Sequence, residues 1–250
     1  MSDSLVIIPT YNECENIPRM IDTVMNLEKD FHLLIVDDGS PDGTADLVRE
    51  KQEAYPGRVF LKERQGKLGL GTAYIAGFKW GLEHDYAFIF EMDADFSHSP
   101  NDLLRLYEAC AQPGAGMSVG SRYVKGGKLE NWPIDRIALS YGASLYVKFI
   151  TFMPVNDPTA GFVCYRREVL EAMDLDKIRF VGYAFQIEMK FATYQMGYKI
   201  VEVPITFTDR VEGTSKMSSG IIKEAVFGVL QMRMRGFFSK YRVGSAPSKH

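Results

Sequence analysis

Paired carboxylates follow two apolar runs of the sequence, and both pairs are of a type that binds divalent cations. One run ends in Asp37 and Asp38, and the other ends in Asp93 and Asp95. Apolar runs of this length indicate buried strands, and open α/β sheets bind ligands beyond the carboxyl ends of such strands. Carboxylates at these positions suit a hard cation that holds phosphate oxygens. The two pairs therefore favour a nucleotide–metal site over the alternative, in which they only begin turns and cap helices.

Strand and helix patterns alternate along the first half of the chain and predict the elements that carry these carboxylates. Predicted strands cover residues 5–8, 33–36, 59–61, 86–92 and 117–120, and predicted helices cover 16–26, 44–53, 69–82 and 99–111. This alternation indicates a doubly wound, mainly parallel α/β sheet. In the second half, helical spacing is seen at 134–152 and 184–195, and strand-like runs at 161–165 and 200–203. We interpret Gly69, Gly71 and Gly77 as sites of close helix packing rather than as a dinucleotide-binding fingerprint.

The composition is that of one globular domain with a basic segment at its end. A chain of 250 residues with 46% hydrophobic and 24% charged residues can bury an ample core. Residues 216–250 contain seven basic residues and one acidic residue, which gives this segment a net charge of +6. Because the whole chain has a net charge of −3, the remaining residues carry −9. A basic, apolar-rich end on an acidic body favours a membrane surface as the anionic partner over nucleic acid.

The cysteines and the apolar runs predict a protein that is neither secreted nor inserted in a membrane. Cys14, Cys110 and Cys164 lack metal-ligand spacing, and their odd number argues against a disulfide framework, so we expect reduced core thiols. The chain starts without a signal-peptide pattern, and no apolar run approaches the ~20 residues that span a bilayer. We therefore expect peripheral association with the cytoplasmic face of a membrane.

Three segments are expected along the chain: a catalytic domain at 1–217, an amphipathic, basic, membrane-facing helix at 218–243 and a flexible tail at 244–250. An apolar stripe recurs at roughly helical spacing in the second segment, at Ile221, Ile222, Ala225, Val226, Val229 and Leu230. An interfacial helix buries such a stripe at the headgroup boundary while its basic side chains meet anionic lipid. The alternative is that the stripe packs on the core of the protein itself.

Six ordered blocks of the sequence resemble family 2 glycosyltransferases of the GT-A fold, and among these the polyprenyl-phosphate (dolichyl-phosphate) mannosyltransferases. Residues 9–17 read Pro-Thr-Tyr-Asn-Glu-Cys-Glu-Asn-Ile and resemble the P-x-Y-N-E-x-x-N-I opening of that family. The other blocks are residues 37–44, 67–74, 92–98, 120–123 and 209–217. The resemblance implies a GT-A domain that transfers mannose from GDP-mannose to a dolichyl-type or other polyprenyl monophosphate, with inversion of the anomeric centre.

The resemblance assigns the nucleotide sugar and its cation to the ends of the first strands. It implies that Asp93 and Asp95 hold Mg²⁺ or Mn²⁺ with Ser97, which stands where relatives often carry Gln, so that a water could replace it. Arg210 and Lys216 resemble donors on a loop over the diphosphate, where Arg acts as a fork and Lys as a point charge. The residues expected to bind the nucleotide sugar are Pro9, Tyr11, Glu13, Val36, Asp38, Asp93, Ala94, Asp95, Arg122, Arg210 and Lys216.

The resemblance also implies an acceptor group, which consists of Arg122, Arg136 and Ser140 around the phosphate of the lipid. Arg136 and Ser140 are four residues apart and share one face of a predicted helix. A phosphate monoester is already anionic near neutral pH, so it attacks without a strong general base, and catalysis reduces to positioning and charge stabilisation. The residues expected to carry catalysis are Asp95, Arg122, Arg210 and Lys216.

Three further polar residues stay outside the set expected to bind the substrates or the cation. We expect Asp37 to cap and brace its turn and His98 to be structural. Asp157 is expected to form a turn, to orient the acceptor helices or to touch the site.

Several alternatives stay open at the level of sequence. A related enzyme could transfer glucose or an amino sugar from a UDP-sugar to the same lipid, and a non-catalytic protein could bind the nucleotide sugar alone. A processive polysaccharide synthase is disfavoured, because residues 231–235 do not fit the Q-x-x-R-W motif of that class. A separate subunit could supply a membrane anchor.

Overall fold

The structure is a computed structural model that describes residues 2–182, 184–209, 227–234 and 241–243. Its strands are β1 (Ser4–Thr10), β2 (His32–Asp37), β3 (Val59–Glu63), β4 (Phe88–Glu91), β5 (Ala115–Ser121), β6 (Lys128–Glu130), β7 (Val163–Arg166), β8 (Lys199–Pro204) and β9 (Thr206–Thr208). Its helices are α1 (Ile17–Met25), α2 (Thr44–Ala54), α3 (Leu70–Glu83), α4 (Asp102–Ala111), α5 (Ile134–Thr151), α6 (Arg167–Ala172) and α7 (Ala184–Gln195), with a 3₁₀ turn at Leu175–Lys177. Residues 227–234 are also helical.

Within the described residues, seven strands form one sheet in the order β3-β2-β1-β4-β7-β5-β8. The strands β1 to β4 pair in parallel, as do β5 and β8, so the predicted doubly wound, mainly parallel sheet is confirmed. The exception is β7, which lies antiparallel between β4 and β5. After β5 the chain stays at the carboxyl edge, where Asp157 contacts Arg122 just beyond β5, and it therefore enters β7 from that edge.

The central strands are buried because helices cover both faces of the sheet. β2 is buried along its whole length, and β1 is buried at every residue except Pro9. On α3, a Cβ atom at Gly71 would lie 2.7 Å from the Phe185 ring and 2.8 Å from the Phe180 carbonyl oxygen. The interpretation of this glycine as a site of close helix packing is therefore confirmed.

The three cysteines are free thiols, as expected. Cys110 and Cys164 are buried, and burial raises the pKa of Cys164 above its ordinary value. The expectation of a core thiol is wrong for Cys14, which is partly exposed and whose backbone N–H donates to Asp42.

A second, two-stranded sheet holds the segment that follows β8 at the carboxyl edge of the main sheet. β6 and β9 pair in parallel, from Lys128 opposite Thr206 to Glu130 opposite Thr208. The backbone N–H of Thr208 donates to Ser97, and that of Asp209 donates to Glu130. This small sheet, which the sequence patterns do not predict, places the start of the 209–217 block beside the residues that follow β4.

The helical residues 227–234 pack on the body of the protein by one face. Val229 and Met232 are buried in the core, whereas Phe227, Leu230 and Met234 are exposed. Val229 was expected in the membrane-facing stripe, so for this residue the alternative, packing on the core, holds. The other predicted stripe residues up to 226, the domain boundary at 217 and the tail at 244–250 lie outside the described residues. No helix in the described segments is long and apolar enough to cross a membrane.

Two helical glycines offer a test of the packing around α3. We expect Gly71→Ala to lower the free energy of unfolding by about 1–3 kcal/mol, because the new methyl group meets a backbone oxygen that cannot move independently. Gly142→Ala on α5 is the matched control, since nothing lies within 4 Å of its Cβ position. A methyl group there should stabilise the helix by up to about 1 kcal/mol. Urea unfolding measures both changes, and a shift of the same sign in the two variants would contradict the packing argument.

Candidate functional site

The residues Asp93 and Asp95 form a candidate cation site directly beyond β4. The side chain of Asp93 is 34% exposed, and Asp95 is partly buried. The Asp95 carboxylate accepts the backbone N–H of Ser97 at 3.0 Å, which forms a tight turn, while Ala94 and Ser97 are themselves buried. Among the described residues no group of three or more His, Cys, Asp or Glu side chains could hold a metal. Two oxygen donors fit a cation that completes its coordination with substrate phosphates and water rather than a closed structural site.

The first carboxylate pair serves the local structure and an ion pair. Asp37 accepts hydrogen bonds from the hydroxyls of Thr10 and Ser40 at 2.8 and 2.6 Å, so it braces its turn, as expected. The Asp38 carboxylate lies 2.7 Å from Nε of Arg64, and both side chains are nearly buried. Sequence analysis missed Arg64, because its partner lies 26 residues away in the chain.

The other residues expected around the nucleoside lie at the ends of β1 and β2. Pro9 pairs in register with Val36, and Tyr11 follows β1 with its ring half-exposed, 4.7 Å from the Lys67 ammonium group. Glu13 accepts a hydrogen bond from Asn16. The side chain of Val36 packs in the core, so only its backbone can face a ligand.

Arg122 is held in a buried, bidentate ion pair with Asp157. The side chains of Arg122 and Asp157 are 9% and 0% exposed. Nε and Nη2 of Arg122 donate to the two carboxylate oxygens at 2.7 and 2.6 Å, and Nη2 also donates to Thr159 at 2.8 Å. Of the roles considered for Asp157, orientation of the region around Arg122 is the one that its contacts support. These donors of Arg122 are engaged within the protein, and its direct contact with a ligand stays a prediction.

The structure brings the predicted acceptor group together at the start of α5. The Ser140 hydroxyl accepts a hydrogen bond of 2.7 Å from Tyr123, the residue next to Arg122. Nη1 of Arg136 lies 2.7 Å from the Asp209 carboxylate, and its guanidinium stacks 3.9 Å from the centre of the Trp132 ring. Asp209 directly precedes Arg210, which together with Lys216 lies outside the described residues.

A chain of buried polar groups, which sequence analysis missed, lies beneath this region. Glu91, fully buried on β4, accepts hydrogen bonds from the Tyr165 hydroxyl and from the amide of Gln186. The amide oxygen of Gln186 accepts from Lys190 at 3.2 Å, and Lys190 donates to the Ala160 carbonyl at 2.6 Å. Burial raises the pKa of Glu91 to about 7. Burial also lowers the pKa of Lys190 to about 8, against the attraction of Glu91.

Comparison with known proteins identifies the family. The chain matches the family model described as Glycosyl transferase family 2 over residues 5–174. The chain belongs to glycosyl transferase family 2. It is 48% identical to the polyprenol monophosphomannose synthase of Mycolicibacterium smegmatis over 239 aligned residues. The alignment covers 96% of this chain and 90% of that relative. It is also 48% identical to the undecaprenyl-phosphate mannosyltransferase of Micrococcus luteus over 225 aligned residues. This alignment covers 90% of this chain and 91% of that relative.

Solved structures of low sequence identity share the fold of this family 2 member. One is glucosyl-3-phosphoglycerate synthase from Mycobacterium tuberculosis in complex with Mn²⁺, UDP and glucosyl-3-phosphoglycerate, with a TM-score of 0.66 at 16% identity over 92% of this chain and 79% of that chain. Another is a mannosyltransferase from Pyrobaculum calidifontis in complex with GDP-Man and Mn²⁺, with a TM-score of 0.56 at 17% identity over 94% of this chain and 73% of that chain. The predicted GT-A fold is thereby confirmed.

The buried chain beneath the site can be tested by a double-mutant cycle. Lys190→Met removes the attraction that favours the Glu91 carboxylate, so Glu91 must either stay as an uncompensated buried charge or take up a proton. Either way a buried polar group loses its partner, and the free energy of unfolding should fall by about 1–3 kcal/mol. Glu91→Gln in the Lys190→Met background should recover part of this loss, because it removes the charge and keeps the shape. Urea unfolding of the two single variants and the double variant gives the coupling energy. Strictly additive losses would show that the two charges do not depend on each other.

Proposed function

We propose that the protein transfers mannose from GDP-mannose to a polyprenyl monophosphate of the dolichyl type. The observation that carries this proposal is the 48% identity, over at least 90% of the chain, to relatives named for polyprenyl-phosphate mannosylation. In the reaction an oxygen of the lipid phosphate bonds to the anomeric carbon of mannose while the bond from that carbon to the GDP phosphate oxygen breaks. A single displacement of this kind inverts the anomeric centre.

The residues at the carboxyl edge suit the two ends of the nucleotide sugar. Asp38, with Tyr11, Glu13 and the backbone at Pro9 and Val36, would contact the nucleoside. Asp93 and Asp95 would hold Mg²⁺ or Mn²⁺, which when bound supplies positive charge to the departing diphosphate. Ser97 is buried, which supports a water rather than its hydroxyl as the next ligand.

The segment that begins at Asp209 would complete the diphosphate site. Asp209 is fixed by its backbone bond to Glu130 and by the ion pair with Arg136. We propose that Arg210 and Lys216, which follow it, donate to the diphosphate oxygens. Positive charge from these donors would stabilise the negative charge that develops on the diphosphate as the bond breaks.

The acceptor phosphate would bind at the start of α5. Arg136 is partly exposed and provides a planar fork for a phosphate, and Ser140 lies one turn further along the same helix. Arg122 supports this group through its neighbour Tyr123, which donates to Ser140. Because the phosphate is already anionic, these residues need only hold it in line with the anomeric carbon.

Two changes test the proposal: UDP-glucose replaces GDP-mannose as the donor, and the carboxylate of Asp95 is removed. We expect turnover of GDP-mannose with a polyprenyl phosphate, and much slower turnover of UDP-glucose. Asp95→Asn should lower the rate by roughly 10²–10³, because it removes charge stabilisation from the transition state. Asp46→Asn is the matched control, since Asp46 is an exposed carboxylate on α2 that pairs with Arg49. Preference for UDP-glucose, or full activity in the presence of a chelator, would contradict the proposal.

A membrane contact is proposed on the exposed face of α5. Ile134, Phe149 and Phe152 are 84%, 74% and 66% exposed, and Leu139, Tyr141 and Leu145 on the same helix are also exposed. This helix carries Arg136 and Ser140, so an acceptor whose hydrocarbon chain lies in a bilayer would present its phosphate there. The exposed side chains of the 227–234 helix adjoin this surface, because Arg233 lies 5.2 Å from the Phe152 ring. Peripheral association with the cytoplasmic face follows as part of the proposal, and a separate anchoring subunit stays a prediction.

Substitution of the α5 face tests this contact. Phe149→Asp should weaken binding to vesicles of phosphatidylcholine and phosphatidylglycerol roughly tenfold or more, because burial of a Phe side chain contributes about 1.5–3 kcal/mol. Tyr194→Asp on α7 is the matched control, since Tyr194 is also a partly exposed aromatic residue. Vesicle sedimentation measures both variants. Unchanged binding by Phe149→Asp would place the contact elsewhere, first of all on residues 218–243.

A further inference from the structure

His98 is a buried histidine next to the candidate cation site, and its contacts differ from those of an ordinary core residue. It is 4% exposed, and its ring stacks on Phe162 with the ring centres 5.0 Å apart. The edge of a second ring, that of Phe207, lies at 5.1 Å. Nδ1 of His98 is 4.0 Å from the Asp93 carboxylate and, among the described residues, this buried nitrogen has no hydrogen-bond partner.

A purely structural role does not account for that nitrogen. A buried polar atom without a partner costs about 1–3 kcal/mol. A phenylalanine would make the same ring contacts without this cost. The distance of 4.0 Å between Nδ1 and Asp93 is about 1 Å longer than a hydrogen bond, so a small movement of the carboxylate would close it.

The backbone around His98 reaches the other half of the site. His98 forms an isolated antiparallel bridge with Phe207, and the carbonyl of Ser97 accepts the N–H of Thr208 at 3.1 Å. Phe207 and Thr208 belong to β9, which leads directly into Asp209 and the 209–217 block. His98 therefore lies beside the strand-end carboxylate of Asp93 and contacts β9, the strand that leads into the 209–217 block.

We propose that His98 is a positioning residue. Its Nδ1–H supports the Asp93 carboxylate, and its ring holds Phe207. The proposed cation-binding carboxylate and the strand that enters the 209–217 block are thereby held in one arrangement. This inference rests on the proposed cation site. A neutral imidazole carries one N–H, which can be placed on Nδ1. The N–H orients Asp93 in the way that outer-sphere partners orient metal ligands.

Replacement by phenylalanine separates the nitrogen from the ring. His98→Phe keeps the contacts with Phe162 and Phe207 and removes Nδ1. We expect Mn²⁺ binding in the presence of GDP, followed by the electron paramagnetic resonance signal of free Mn²⁺, to weaken roughly 10- to 100-fold. The affinity for GDP without metal, measured by calorimetry, and the unfolding midpoint should stay close to those of the wild type. His32→Phe is the matched control, because it removes another buried imidazole, bonded to Tyr86 at the start of β2, and should leave Mn²⁺ affinity unchanged.

A second pair of variants keeps the proposal testable if His98→Phe does not fold. His98→Asn and His98→Ala both lose the ring and differ in the amide N–H, which lies near the position of Nδ1. Tighter Mn²⁺ binding by His98→Asn than by His98→Ala supports the proposal, and equal binding overturns it.

The outcomes also separate this inference from the proposed function. Unchanged Mn²⁺ affinity in a folded His98→Phe variant overturns the positioning role while the transferase function stands. Loss of GDP binding in the absence of metal overturns it as well, because the residue would then shape the pocket as a whole. If the wild-type protein with GDP does not bind Mn²⁺, the cation site of the proposed function fails, and the role of His98 fails with it.

Discussion

The carboxyl edge of the sheet depends on one buried carboxylate, that of Asp157. It binds the backbone and the guanidinium of Arg122 at the end of β5, and its own N–H donates to Glu202 on β8. Two charges can be buried together only if good geometry and further hydrogen bonds offset their loss of water. Here three hydrogen bonds from Arg122 meet this condition, and they fix the point at which the chain turns back towards β7. Arg122, the first residue of the proposed acceptor group, is therefore positioned by the same contact that orders this half of the sheet.

Sequence patterns were sufficient for the main elements and for the position of the carboxylates that follow β4. Buried parallel strands are continuous apolar runs, so β1 and β2 could be recognised directly, and the carboxylates after β4 followed from the end of such a run. Two features could not be found in this way. β6 and β9 are too short to show a periodic pattern, and the direction of β7 depends on which edge the chain returns from.

The partners of the site residues were beyond local patterns, because they come from distant parts of the chain. Arg122 and Asp157 are 35 residues apart, and Arg136 and Asp209 are 73 apart. One local signal does point to the buried pair beneath the site. Glu91 interrupts an apolar strand and Lys190 an apolar helix, and charged residues are almost never fully buried unless they are paired. The apolar stripe predicted at residues 221–230 was ambiguous for a different reason. An apolar stripe alone does not indicate whether protein or lipid covers it.

The bridge from Glu91 through Gln186 to Lys190 has a consequence for how this protein can change over evolutionary time. A lineage that loses either partner first leaves the other as an unpaired buried group, which must stay charged without compensation or become neutral. Either state costs stability, of which an ordinary domain has only about 5–15 kcal/mol. An uncharged pair of similar volume can be nearly neutral or even stabilising. The two positions can therefore drift only together, and an ancestor that crossed from one solution to the other needed stability in reserve from elsewhere in the fold.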